Sequence, residues 1–268
     1  MVIPSLETLL AIDAGNTRVK LGVMHRPASL VGALPECNLS TAVAVGETIP
    51  WDELAVDSSV PAVITGSNPG EIERIRGAWP ADRSAPSVLT DREEFPIVID
   101  VDFPEKVGID RLLNAVAANS LRRPNQRVVI VDSGTATTVD CIDAEGHFCG
   151  GAILPGFDLC AKALHQYTAL LPMVEASTVL DDDGPPSELG RNTQAAIAGG
   201  LYWGHVGAVK ELVHRLSVDA DQDEPLLLLT GGAAPLLQPH LSSLTRRERN
   251  LSLQGLTIAV MSHDRFRT

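Results

Sequence analysis

Two short segments carry residue types that could handle phosphate. In RVVIVDSGTATTVDCI, the apolar residues Val128 to Val131 run into Asp132, then into Ser133-Gly134-Thr135-Ala136, before the β-branched run Thr137-Thr138-Val139. In LLAIDAGNTRVKLGV the same order appears: an apolar run, Asp13, a turn Ala14-Gly15-Asn16-Thr17, and an alternating run from Val19 to Val23. Glycine after the aspartate lets the backbone bend without a Cβ penalty. Such a turn points backbone N–H groups and hydroxyls into one concavity beside a carboxylate, a set that suits a phosphate and its metal ion. It differs from the GxxxxGK[ST] loop, which opens a helix and carries its own lysine.

Setting Asp13 on Asp132 aligns Gly15 with Gly134 and Asn16 with Thr135. A second echo follows: VPAVITGSNPGEIERI (60–75) and PLLLLTGGAAPLLQPHL (225–241) each read strand, Thr-Gly, loop, helix. The chain therefore reads as one strand-turn-strand unit used twice, with an insertion in the second copy. Two such turns facing each other across a cleft would grip a nucleotide polyphosphate from both sides. The plainer alternative is a pair of ordinary hairpin turns.

The elements that must position these residues are legible to different degrees. Residues 9–12 and 19–23 read as one strand pair, and 128–131 with 137–139 as another. Residues 27–51 show little periodicity and read as loops with one or two short strands, and 97–101 as a further short strand. After Pro104 and Gly108 a helix is expected over about 109–121, with Leu112, Leu113, Val116 and Ala117 on its apolar face. Asp110 and Arg111 fall in its first turn, where the helix dipole favours a carboxylate. Residues 150–156 read as a turn-rich connection into a helix near 158–171. Residues 181–186 read as an exposed acidic loop, and 187–216 as mostly helical. The boundary between lobes is expected near Asp102, giving 1–102 and 103–268.

With 268 residues, 44% hydrophobic and 21% charged, the chain is long and apolar enough for a sizeable core. A net charge of -13 argues against nucleic acid or an anionic membrane as partner, since both reward basic surfaces. Cys37, Cys141, Cys149 and Cys160 form no C-x-x-C pair and read as reduced core thiols. Glu7 and Asp13 interrupt the apolar N-terminus and no basic region precedes it, unlike a signal peptide. The uncharged stretch 225–241 is broken by Gly231-Gly232 and three prolines and is shorter than the ~20 residues of a spanning helix. A cytoplasmic location is expected. His147 and His205 lack metal-ligand spacing and read as structural or surface residues, while Lys20 could reach a phosphate or decorate a strand.

The segments DAGNTRVKLG, VGIDRLLNAVAA, VDSGTATTVD, GHFCGGAILPG, YTALLP, NTQAAIAGG and LTGGAAPLL occur in the order found in type III pantothenate kinases, and nearly the whole chain resembles that family. The resemblance implies an α/β, two-lobed actin-like or hexokinase-like ATPase fold made of duplicated ribonuclease H-like lobes. It implies ATP-dependent phosphorylation of pantothenate to 4'-phosphopantothenate, the first step of coenzyme A biosynthesis, in a homodimer with a shared active site. Residue by residue, it implies that Asp13, Ala14, Gly15, Asn16, Thr17, Arg18, Val19 and Lys20 form the first ATP-phosphate loop, and that Gly134 and Thr135 make the second contact. Gly108, Ile109, Asp110 and Arg111 correspond to the pantothenate motif, with Asp110 as base, and Thr193 to a further substrate contact. Asp132 corresponds to a monovalent-cation position for potassium or ammonium, and Asp13 would meet Mg²⁺ directly or through water. Where the family often has tyrosine ahead of Gly-x-Asp-Arg, this chain has Val101, a departure that bears on the pocket's shape rather than the reaction. Two rivals remain: another small-molecule phosphotransferase on the same fold, and a non-catalytic nucleotide-binding accessory protein. Intact Asp13, Asp110, Asp132 and Thr135 speak against a decayed site.

Overall fold

The computed structural model describes residues 7–27, 29, 32–54, 56–175, 184–218 and 224–263. Residues 1–6 and the acidic run 181–183 lie outside the described residues. In chain order the strands are β1 (Thr8–Ala14), β2 (Arg18–His25), β3 (Glu36–Ala44), β4 (Ala62–Thr65), β5 (Ser87–Val88), β6 (Val128–Ser133), β7 (Ala136–Ile142), β8 (Phe148–Pro155), β9 (Leu226–Thr230) and β10 (Arg246–Arg247). The helices are α1 (Pro69–Gly77), α2 (Ile109–Leu121), α3 (Phe157–Gln166), α4 (Thr193–Ser217), α5 (Ala234–Leu237) and α6 (Leu251–Ser262).

The sheets have strand orders β3-β2-β1-β4-β5 and β10-β9-β6-β7-β8. Read from its other edge, the second order is β8-β7-β6-β9-β10, the topology of the first. The register repeats as well. β1 runs parallel to β4 with Asp13 opposite Thr65, and β6 runs parallel to β9 with Asp132 opposite Thr230. The duplication expected from the two Thr-Gly echoes is thus present in the strand pairing.

Two compact units are interleaved along the chain. The first comprises Met1–Arg127, Ile142–Cys149 and Asn250–Thr268, and the second Val128–Cys141 and Gly150–Arg249. The sequence suggests a cut near Asp102, whereas packing joins 103–127 to the first unit because α2 lies against α6. Helix α6 is buried from Leu251 to Met261, as expected of a helix apolar on all sides. In the first unit Leu10, Ile12, Val19, Leu21, Ile64, Ile72 and Ile75 form a core under the sheet. In the second, Val129, Val131, Val139, Ile197, Tyr202, Val209 and Leu229 do so.

Several expected elements differ from those observed. Residues 97–101 form no strand, only an isolated bridge of Ile99 to Phe148, because Pro96 precedes them and the pairing stops there. Among the described residues of 27–51, the one or two short strands expected are a single strand of nine residues, β3, paired antiparallel to β2. Residues 150–155 belong to β8 rather than to a turn: Gly150 (φ 89°) and Gly151 let this strand approach β7, where a Cβ on Gly151 would overlap the Val139 carbonyl. The helix expected to reach 171 ends at Gln166, where the Thr168 hydroxyl donates to the Leu164 carbonyl and Pro172 lies ahead. Helix α4 begins at Thr193, not near 187, because the Asn192 side chain accepts from Ala195 N at 2.8 Å and caps it. All four cysteines are free thiols, but none sits in the core as expected: Cys37, Cys141 and Cys160 are half-buried and Cys149 is exposed.

Candidate active site

In the first unit, Asp13 closes β1 and is only 3% exposed. Its antiparallel partner across the ladder is Lys20, whose Nζ stands 3.9 Å from Oδ2 and 3.5 Å from Ser252 Oγ. Oδ1 of Asp13 is buried with no hydrogen-bond partner. A carboxylate oxygen left bare in this way costs free energy unless a cation or its water completes it. The turn itself closes by Gly15 N–H to Arg18 O at 3.0 Å and leaves Asn16, Thr17 and Arg18 exposed. It is braced from behind: Asn68 N–H donates to Ala14 O at 3.1 Å, Val45 N–H to Thr17 O at 3.0 Å, and Asn16 Nδ2 to Ser67 Oγ at 3.4 Å. Gly66, at φ 143°, sits so close to Ala14 that a Cβ would overlap its backbone.

The segment Gly108-Ile109-Asp110-Arg111 also lies in the first unit. Gly108 is the N-cap of α2 in extended conformation and offers no side-chain cap, and Asp110 occupies the first turn. A Cβ on Gly108 would stand 2.5 Å from Asp110 Oδ1, so the glycine makes room for that carboxylate at the helix start. Arg111 holds its guanidinium 5.2 Å over the ring of the buried Phe148. The approach to Gly108 is tied by Arg92 Nε donating to Val107 O at 2.7 Å. Val101 is half-buried; close by in sequence the exposed Phe103 carries Lys106 Nζ 4.2 Å over its ring.

In the second unit, β6 ends at Asp132-Ser133 and the turn closes by Gly134 N–H to Ala136 O at 3.1 Å. It is one residue tighter than the first turn, and Gly134, Thr135 and Ala136 are exposed. Bracing repeats: Ala233 N–H donates to Ser133 O at 2.9 Å and Gly156 N–H to Thr135 O at 3.0 Å. Gly231, at φ 94°, packs on Ser133 O, and a Cβ there would lie 2.6 Å from Asp132 Oδ1. The space beside that carboxylate is kept by glycine. Thr193 is the exposed first residue of α4.

The structure therefore gathers Asp13 with Lys20, Gly108 with Asp110, and Asp132 with Gly134. His205, read from the sequence as structural or surface, is buried, and it anchors two hydroxyls whose pairing the sequence does not show. Ser133 Oγ lies 3.3 Å from Thr137 Oγ1, which lies 3.2 Å from Nε2 of the buried His205. Burial pushes the His205 pKa below its ordinary 6.5, which keeps the ring neutral. Thr137 reads in sequence only as a β-branched strand residue, so the pairing had no signal there. His147, by contrast, is a surface partner of Asp143, 3.2 Å away. Among the described residues no helix is long and apolar enough to cross a membrane, and no group of three or more His, Cys, Asp or Glu is placed to hold a metal ion.

Residues 9–215 match the model of the type III pantothenate kinase family. The chain is 35% identical over 262 residues to a type III pantothenate kinase of Gluconobacter oxydans (strain 621H), covering 93% of this chain and 92% of that one. It is 32% identical over 258 residues to one of Geobacter sulfurreducens, covering 93% and 97%. Among solved structures it is similar to the activator of the 2-hydroxyisocaproyl-CoA dehydratase from Clostridium difficile with bound ADPNP, at TM-score 0.50 and 11% identity over 95% of this chain and 94% of that one. The fold is the actin-like, hexokinase-like ATPase fold expected from the sequence.

Proposed function

The chain belongs to the type III pantothenate kinase family, and on that premise we propose how its residues divide the work of phosphorylating pantothenate with ATP, the entry reaction of coenzyme A biosynthesis. The enzyme is a pantothenate kinase. The assignment of roles rests above all on the matched pair of braced Asp-x-Gly turns, each with its aspartate opposite a Thr-Gly.

Phosphoryl transfer depends on positioning and on neutralising charge across the transferred group. The exposed turn Asn16-Thr17-Arg18, with Lys20 behind it, holds ATP phosphates in the first unit; Gly134 and Thr135 hold them in the second. Mg²⁺ arriving on ATP would supply charge neutralisation, and the bare Oδ1 of Asp13 fits a contact to it or to its water shell. Asp132, with glycine-kept space beside Oδ1, fits a monovalent cation, potassium or ammonium. Asp110 accepts the proton of the primary hydroxyl of pantothenate as that oxygen bonds to the γ-phosphorus and the bond to ADP breaks. Arg111, stacked on Phe148, turns its planar fork to the substrate's carboxylate. Gly108 and Ile109 shape the helix start, and Thr193 adds a hydroxyl contact. Family membership further supports a homodimer with a shared active site and a cytoplasmic location.

The test is Asp110→Asn. Turnover should fall by a factor on the order of 10² or more while affinity for a non-hydrolysable ATP analogue is retained. Near-normal turnover would sink the base assignment. A wild-type assay with ATP, Mg²⁺ and pantothenate, run in potassium and then in sodium, reads the cation dependence.

A further inference from the structure

His205 is a buried imidazole for which the proposed reaction has no direct use. It projects from α4 with 7% of its surface exposed, its ring 4.3 Å from that of Phe157 and its Nε2 3.2 Å from Thr137 Oγ1. Thr137 passes the contact to Ser133, 3.3 Å on, and both hydroxyl residues are fully buried.

The first turn shows that a braced turn of this kind does not require such a chain. At the matching place in the first unit, Ala14 pairs with Val19 across the ladder, and both are buried without hydroxyls. Burying two hydroxyls and an imidazole gains little net stability over apolar packing even when every group is paired. What the second turn acquires is direction. Ser133 is fixed at its carbonyl by Ala233 N and at its hydroxyl by Thr137, which is itself fixed by a ring on α4. Ser133 is the residue immediately before Gly134 and Thr135, the exposed part of the turn.

We propose that Thr137 and His205 are positioning residues for nucleotide binding: the chain Ser133–Thr137–His205 holds Gly134 and Thr135 in place to receive the phosphates of ATP. The inference rests on the reading of that turn as a phosphate contact. Neither Thr137 nor His205 touches nucleotide or pantothenate. Both act through Thr135, so their loss is felt on the ATP side of the reaction and not on the pantothenate side.

The experiment compares Thr137→Val, Thr137→Ser, His205→Gln, Ser133→Ala and Thr135→Ala in the full chain. It measures calorimetric affinity for a non-hydrolysable ATP analogue with Mg²⁺, KM for ATP and for pantothenate, and Tm. Thr137→Val and Ser133→Ala should each weaken analogue binding and raise KM for ATP about tenfold, with KM for pantothenate within about twofold of wild type. Thr137→Ser, which keeps the hydroxyl, and His205→Gln, which keeps a donor and an acceptor, should stay within about threefold on every measure. A lowered Tm with both KM values unchanged, or with both raised equally, overturns the proposal in favour of plain packing. If Thr135→Ala leaves analogue binding intact, the phosphate reading of the turn falls and the proposal with it. If Thr135→Ala weakens binding and Thr137→Val does not, the positioning role alone is refuted. Should Thr137→Val fail to fold, Ser133→Ala decides, because alanine is the residue the first turn already carries.

Discussion

The backbone N–H of Ala233 donates to the carbonyl of Ser133 at 2.9 Å, as Asn68 donates to Ala14 at 3.1 Å in the other unit. In each copy the loop after the Thr-Gly strand end is clamped behind the aspartate turn. The clamp needs a glycine, Gly66 or Gly231, at positive φ and within overlap distance of the clamped residue.

That requirement yields the first prediction. Gly231→Ala meets both a left-handed backbone and the Ser133 carbonyl, and should lose about 2–4 kcal/mol of stability. Gly232→Ala has nothing within 4 Å of the added methyl and should stay within about 0.5 kcal/mol of wild type. Urea unfolding of the two variants settles it, and equal midpoints would refute the clamp.

Much of this was legible in the chain. The apolar runs ending in Asp13 and Asp132 and the repeated Thr-Gly gave the paired turns and the parallel register, because buried strands and glycine turns are local signals. Helix α2 was legible from its periodicity and its Gly108 start. Three things were not. Residues 150–155 looked like turn because glycine there serves close strand approach and not a bend, and only the partner strand reveals that. The partnership of α6 with α2 joins Gly255 to Leu113, a contact with no local trace. The Ser133–Thr137–His205 chain links β6, β7 and α4, and a threonine in a strand gives no hint of what its hydroxyl meets.

The α2–α6 contact supports a second prediction. A Cβ on Gly255 would overlap the Leu113 carbonyl, and both helices are buried around that point. Gly255→Ala must push α6 away from the helix that carries Asp110, costing about 1–3 kcal/mol. Because Asp110 sits at the start of α2 and the strain falls at Leu113, turnover should fall along with Tm. A variant with lowered Tm but wild-type turnover at a temperature where it is fully folded would show that the helix start is independent of this packing.

A third prediction concerns acid. Glu71 is buried at the start of α1, and its carboxyl is held below its ordinary 4.5, chiefly by the hydrogen bonds from Arg74 at 2.9 and 2.7 Å, with a further bond from Gly46 N–H. Its folded pKa is depressed, so the unfolded state binds the proton more readily. The stability it contributes is complete above about 4.5 and is lost as pH falls through the lower folded value. Glu71→Gln should therefore cost about 1–3 kcal/mol near neutrality and flatten the acid limb of the stability curve. Urea midpoints between about pH 3 and pH 6 measure both, and an unchanged acid limb in the variant would assign the loss to other carboxylates.

The start of α4 separates a cap from a contact. Asn192 accepts from Ala195 N at 2.8 Å, while the neighbouring Thr193 is exposed. Asn192→Ala should cost about 1 kcal/mol, and Asn192→Asp should restore it, since aspartate caps equally well. In either variant KM for pantothenate should move less than about threefold, because the helix is long and anchored by Ile197, Ala198 and Tyr202 in the core of its unit. Thr193→Val should behave in the opposite way. An exposed residue at the first helical position contributes little to stability, so Tm should hold, whereas loss of a hydroxyl contact to pantothenate should raise its KM about tenfold with KM for ATP unmoved. Should Thr193→Val lower Tm and leave KM for pantothenate alone, the substrate role would pass from Thr193 and the helix start would be structural only.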